Sequence, residues 1–349
     1  MTNDFTAMTW LQAPWQALMT LHQQDRLPHG LLLVAPAGIG KRLLAEQLAA
    51  RLLCEVASGS EHACGHCRQC ELLKAESHPD VKVFQPESSK VIKVDQIRTL
   101  SEFAVASPQV ARRKVIIVDR ADQLNINAAN ALLKTLEEPV AGVTLILLQE
   151  AGRTVLPTIR SRCQSIALPV PDEGTALDWL RQACLSRSGG GNDEEPDAAL
   201  PDTALQQALT LCGGAPGKAL AWLDAAAVTA RAEALAAFRS YLKNELVVGQ
   251  AATALRKSGE LEQVLWTLEL WALDAIRLSV GSTARDQDAA DVLGYLAAQN
   301  PAWRFHALLA QIRESRAGLS YNVSPDLEIE RLLIAWKGLM PARQRKRAS

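Results

Sequence analysis

The chain has 349 residues, with 37 Lys+Arg against 38 Asp+Glu, so a bulk electrostatic grip on nucleic acid is not implied. Hydrophobic residues make up 48%, enough for the packed cores of two or three domains, yet no apolar run approaches the ~20 residues of a membrane span. Seven cysteines behind a polar opening (Met1 to Met8) without a secretory leader point to a reducing, cytoplasmic setting, where clustered thiols bind metal.

The first predicted element is an amphipathic helix over 10–27, with Trp15, Leu18, Met19 and Leu21 on one side. The stretch LLLVAPAGIGKR (31–42) then reads as strand, phosphate loop and helix start, the helix continuing through Leu43, Leu44, Gln47, Leu48 and Leu52. Glycines in such a loop let backbone N–H groups close around phosphate oxygens at the positive end of a helix. Gly38, Gly40 and Lys41 are in place. Ala35 stands where the first glycine belongs, and Arg42 where a hydroxyl would ligate magnesium. A cation at that position repels the ion.

A cysteine-containing insertion (54–70) follows, then a short predicted helix from Glu71 to Ser77. HPDVKVFQP alternates as a strand does, and VDQIRTLSEFAV reads as a helix with Asp95 as its expected cap. Lys114 to Asp119 and Val143 to Leu148 are apolar enough to be strands buried on both faces. Between them, Asn127 to Glu138 is a predicted helix stopped by Pro139, and SRCQSIAL closes the series. Apolar strands alternating with helices predict a parallel sheet covered on both sides, an α/β domain over 1–168.

After Leu168 the chain is helix and turn only, which predicts an all-α remainder. A small helical domain is expected over 169–228, with a mobile loop at 186–202 (SRSGGGNDEEPDAALPD). Long Leu/Ala/Trp helices predict a second helical domain over 229–340, and 341–349 is a basic tail.

Three groups of residues carry chemistry. VIIVDRAD (115–122) places Asp119 at a strand's carboxyl end, where an acid contacts magnesium or its water shell. The next position, which in hydrolytic sites holds a water-orienting acid, is Arg120. A guanidinium stays protonated and cannot act as base. Hydrolysis therefore lacks two separate requirements, while Gly38, Gly40, Lys41 and Asp119 retain the outline of a weak or vestigial nucleotide site.

Cys54, Cys64, Cys67 and Cys70 form the second group; two consecutive CxxC spacings and a fourth thiol suit tetrahedral structural zinc. An iron–sulfur cluster shares that opening but continues with a Cys before Pro, which Glu71 to Pro79 lacks. Free thiols are the third reading, and His62 and His66 are possible substitute ligands. Cys163, Cys184 and Cys212 are isolated and expected to be buried. A DNA-reading zinc module is disfavoured, since Arg68 is the only cation between Glu55 and Leu73.

The third group is Ser161-Arg162-Cys163, behind Thr158-Ile159-Arg160. A lone arginine there is ordinarily a surface ion-pair partner. Beside a damaged nucleotide site it suggests an arginine finger, delivered in trans to a neighbour's γ-phosphate.

As a set, LPHGLLLVAPAGIGK, the Cys54–Cys70 insertion, HPDVKVF with VDQIR, VIIVDRADQLNINAANALLKTLEEP and TIRSRC resemble the AAA+ clamp loaders of bacterial DNA polymerase III. The resemblance covers about 27–163 and weakens over 170–320, returning at NVSPDLEIERLLI (322–334). It implies a P-loop, RecA-like sheet domain with a zinc-binding insertion, a helical lid domain and a helical collar. By the same alignment Gly217, in GGAPGKAL, replaces a lid arginine that contacts nucleotide. The family implies a hetero-pentamer of ATPase subunits, delta and a non-hydrolysing member that places the sliding clamp on primer-template DNA. This chain would be that member, with Arg162 serving the adjacent ATPase subunit and Arg160 assisting or pairing nearby. An active ATPase subunit of the same loader is the alternative.

Overall fold

The computed structural model describes residues 5–56, 61–87, 91–188, 200–318 and 324–341. Most of the loop expected at 186–202, the start of NVSPDLEIERLLI and the tail beyond Pro341 lie outside these residues. The chain divides into two compact units, Met1–Pro201 with Gly214–Ala219, and Asp202–Gly213 with Leu220–Ser349. No helix among the described residues is long and apolar enough to cross a membrane.

The first unit is built on five parallel strands: β1 (Gly30–Ala35), β2 (Val81–Phe84), β3 (Lys114–Val118), β4 (Val143–Glu150) and β5 (Gln164–Ala167). Their order is β2-β3-β4-β1-β5, so the first strand lies inside the sheet between the last two. Side chains alternate strictly across it, as a period of two requires. Leu31, Leu33, Val115, Ile117, Ile146 and Leu148 share one core. Leu32, Ile116, Val118, Leu145 and Leu147 share the core on the other side. The expected sheet with both faces buried is therefore present.

Helices α1 (Gln12–Gln23) and α2 (Lys41–Leu53) supply the first core, with Trp15, Leu18, Leu44 and Leu48. Helices α4 (Val94–Val105) and α5 (Ile126–Glu137) supply the second, with Ile97, Leu100, Leu132 and Leu136. Between them lies α3 (Arg68–Lys74), and the unit continues through a single turn, α6 (Pro157–Arg160), and α7 (Glu173–Ser188).

Local chemistry moves several boundaries from those the sequence predicts. Helix α1 is shorter than 10–27 because 3-10 turns occupy 5–7 and 9–11 and Asp25 turns into positive φ. Helix α3 starts three residues before Glu71, directly after Cys67. Asp95 is not the cap of α4: the Lys93 N–H donates to Gln96 Oε1 at 3.0 Å, and Asp95 pairs with Arg98. Asn125 caps α5, its side chain accepting from the Ala128 N–H at 2.8 Å.

The second unit is helical throughout its described residues: α8 (Asp202–Leu211), the end of α9 (Pro216–Trp222), α10 (Ala225–Leu242), α11 (Val248–Lys257), α12 (Leu261–Ser279), α13 (Ala290–Gln299), α14 (Ala302–Ala317) and α15 (Pro325–Lys337). Its core centres on Phe238, which packs at 4.8 Å from Trp271 and edge-on at 5.3 Å from Trp336. The buried Trp271 indole donates to Asp286 at 3.0 Å, satisfying a polar group that burial would otherwise penalise.

Candidate functional site

Phosphate-loop residues follow the carboxyl end of β1, where an open α/β sheet builds its ligand sites. Gly38 and Gly40 take φ of +83° and +102°, values only glycine adopts without strain. The loop lines an open cleft of about 560 Å³ together with Asp119, Arg120, Asp122 and Glu150. Inside it, the Lys41 ammonium donates to its own loop's carbonyls, Ala35 O at 2.7 Å and Pro36 O at 2.8 Å. Burial pushes its pKa down, against the pull of Glu150, Asp122 and Asp119.

Arg42 spans the cleft between two acids. Its Nη1 donates to Asp119 Oδ2 at 3.1 Å and its Nε to Glu46 Oε1 at 2.5 Å. Arg120, held at φ 61°, pairs with Glu150 at 3.4 Å, and Arg153 reaches the same carboxylate at 3.3 Å. Beneath them Asp122 is fully buried, accepts the Glu150 N–H at 2.9 Å, and has its pKa raised by burial. Gly217 brings its N–H onto Gly38 O at 3.0 Å; a Cβ at Gly217 would stand 2.7 Å from that oxygen. An arginine at this position would clash with the loop in its present packing. Arginines thus occupy the acids that line this cleft.

The Arg162 side chain sits at the other end of the sheet. β5 begins beside Leu31, so residues 161–163 pass the amino end of β1, and the Arg162 carbonyl lies by Gly30. About 17 Å of strand separates that point from the phosphate loop. Arg162 donates to Thr158 O at 3.0 Å and pairs with Glu137 at 2.5 Å, with both side chains more than a third exposed. Arg160 is exposed and bonds through its side chain to nothing among the described residues. Cys163 is partly buried, and burial pushes its thiol up to about 11.

The insertion brings four sulfurs together: Cys54, Cys64, Cys67 and Cys70 Sγ all lie within 4.8 Å of one another. Cys67 stands 3.5 Å from Cys70 and 3.9 Å from Cys54, and Cys64 is 4.0 Å from Cys70. Tetrahedral zinc with Zn–S of ~2.3 Å requires sulfurs nearly 4 Å apart, so the donor set fits. The Cys64 and Cys67 N–H groups each donate to a cluster sulfur at 3.3 Å, as thiolates demand. Burial resists ionisation of Cys67, but backbone N–H groups and neighbouring thiols hold it down to about 6. Burial and the adjacent sulfurs push Cys70 up to about 12. A full set of thiolates therefore needs a cation. Neither histidine belongs to the cluster: His62 stacks on Trp15, rings 5.3 Å apart, and His66 bonds to Cys64 O.

The family model described as DNA polymerase III, delta subunit matches residues 10–172. The DNA polymerase III subunit delta' of Pseudomonas aeruginosa is 34% identical over 336 residues, covering 95% of this chain and 97% of its own. That of Yersinia pestis is 30% identical over 334 residues, covering 94% of each. The chain belongs to the delta' family of DNA polymerase III. Its motifs resemble that clamp-loader subunit most closely, and the chain is a clamp-loader subunit of this class. A gamma-subunit-related protein of Thermotoga maritima aligns with 92% of this chain and 98% of its own at 18% identity and TM-score 0.38.

In this delta' chain the structure brings together the four cysteines grouped by sequence and lines one cleft with Lys41 and Asp119. Arg162 lies at the opposite end of the sheet from Lys41 and Asp119, a placement the sequence did not predict. Sequence reasoning also missed Glu46, Glu150 and Arg153, which absorb the charge of the two misplaced arginines or share their acids. Glu150 had a signal, as the acid ending the apolar run VTLILLQE at the same carboxyl end of the sheet as Asp119.

Proposed function

We propose that this delta' chain is the non-hydrolysing member of its loader and lends Arg162 to a neighbouring subunit's nucleotide. The observation that carries this is the position of Arg162, a strand's length from its own phosphate loop and paired with one exposed acid. An exposed pair of this kind contributes at most about 1 kcal/mol. An arginine finger stabilises a phosphoryl-transfer transition state by a factor of ~10³ to 10⁵, roughly 4–7 kcal/mol, so a γ-phosphate readily displaces Glu137.

Gly38, Gly40, Lys41 and Asp119 form a degenerate site, with nucleotide bound weakly or not at all. Lys41 is spent on loop carbonyls and Asp119 on Arg42. Cys54, Cys64, Cys67 and Cys70 would hold one structural zinc ion, which in a closed four-thiolate site supplies folding energy and no open coordination position. The working assembly is a cytoplasmic hetero-pentamer with ATPase subunits and delta, reaching the sliding clamp and primer-template DNA through the complex. Within it, 1–168 is the AAA+ domain, 169–228 the lid and 229–340 the collar that joins subunits.

Reconstitution tests this. ATP hydrolysis by candidate ATPase subunits, in the presence of clamp and primed DNA, is measured with and without this chain. Strong stimulation is expected, whereas equal rates would remove the proposal. Elemental analysis of the purified chain is expected to give one zinc per chain; iron in its place would overturn the metal assignment.

A further inference from the structure

A closed ring of buried and partly buried hydrogen bonds runs from the cysteine module to the loop before β3. Gln69, on α3 between the thiols of Cys67 and Cys70, is 1% exposed. Its Nε2 donates both to Glu55 Oε1 at 2.8 Å, beside Cys54, and to Val110 O at 2.9 Å. Its Oε1 accepts from His78 Nε2 at 2.7 Å. His78 Nδ1 in turn accepts the Asp80 N–H at 3.1 Å, which fixes the neutral tautomer with its proton on Nε2. The Asp80 carboxylate, fully buried, accepts the N–H groups of Gln109, Val110 and Ala111 at 2.7 to 2.8 Å. Val110 closes the ring, held through its N–H by Asp80 and through its carbonyl by Gln69.

We propose that Gln69 is a positioning residue that couples the metal state of the four-cysteine module to the conformation of residues 109–113. The inference rests on the reading that the cysteines bind zinc. A bound ion fixes Cys54, Cys67 and Cys70, and with them Glu55 and the first turn of α3, so the Gln69 amide has one available orientation. Gln69, His78 and Asp80 are buried and Val110 is partly so, and the buried polar groups would be left unsatisfied if a neighbour moved, which makes the ring cooperative. The segment it sets carries Arg112 and Arg113, whose side chains have no bonded partner among the described residues. Burial keeps His78 away from protonation, so the neutral tautomer persists at neutral pH.

Amide hydrogen exchange at Gln109, Val110 and Ala111, measured on the full chain with and without a zinc chelator, tests the coupling. Zinc removal is expected to speed exchange there by at least about tenfold, the loss of a buried bond network. Gln69→Ala is expected to speed it comparably while one zinc stays bound, and to abolish the further response to chelation. Gln69→Glu keeps the acceptor for His78 and removes both N–H donors, so it serves the same test if the alanine variant fails to fold. Unchanged exchange in the wild-type chain after zinc loss would overturn the coupling while leaving the metal reading intact. A full chelator response in a folded Gln69 variant would do the same. A purified chain with no bound metal would overturn both.

Discussion

At the carboxyl end of the sheet, Arg42 and Arg120 fold back onto Asp119, Glu46 and Glu150, so the acids and cations lining that cleft neutralise one another. At the amino end, Arg162 rests on a single exposed acid that a phosphate can displace. The same side-chain chemistry has opposite consequences because of what surrounds it. Arg42 is held by two carboxylates and Arg120 by one that Arg153 shares, whereas Arg162 has a single carboxylate partner whose loss costs little. On the proposed function, the chain loses turnover at one end of its sheet and keeps a catalytic contribution at the other.

The contrast can be broken most sharply at Arg162. Arg162→Ala should leave folding and assembly intact while lowering the DNA-stimulated ATPase of the reconstituted loader by a factor on the order of 10³ at the adjacent site; an unchanged rate would end the finger assignment. Glu137→Gln removes the competing acid, so half-maximal stimulation should need up to about fivefold less of this chain, the equivalent of one exposed ion pair. A rise in that requirement would mean Glu137 positions the arginine instead. Lys41→Ala should change loader ATPase by no more than about twofold in the same assay, since Lys41 serves its own loop carbonyls. A loss near that of Arg162→Ala would show the cleft at work.

The smallest effect is on stability against pH. Burial lowers the pKa of His78 and of His22, the latter with help from Arg51 and Arg113. Unfolded, each histidine takes a proton near 6.5, while the folded form resists it. Stability is therefore full above about pH 6.5 and declines as pH falls below it toward the folded values. Thermal unfolding at pH 7.5 and 5.5 should show the decline, shallower in His78→Gln. An identical slope in the variant would exclude His78 as a source.

Much of this fold is written in the strands. The runs of apolar residues in β1, β3 and β4 fill both faces in strict alternation, and no helix contact was needed to foresee it. Cys54 was assigned to the metal cluster across a gap of ten residues because three thiols at CxxC spacing leave one ligand wanting. Asp95 misled because the helix begins at Val94, so Lys93 holds the cap position and Asp95 falls inside the first turn. Glu46 and Glu150 were overlooked because their role exists only once Arg42 and Arg120 have chosen rotamers. By sequence Gln69 belongs to the cysteine insertion, and His78 and Asp80 to the strand read in HPDVKVFQP. Nothing in their spacing announces that they meet around Val110, 30 to 41 residues further on for Asp80 and Gln69.

The most direct test of an idle site beside a lent arginine is ATP turnover by the purified chain alone. With magnesium and ATP, and free of contaminating ATPase, it should release phosphate no faster than buffer. Brisk hydrolysis by the isolated chain, unchanged when ATPase subunits are added, would contradict the account.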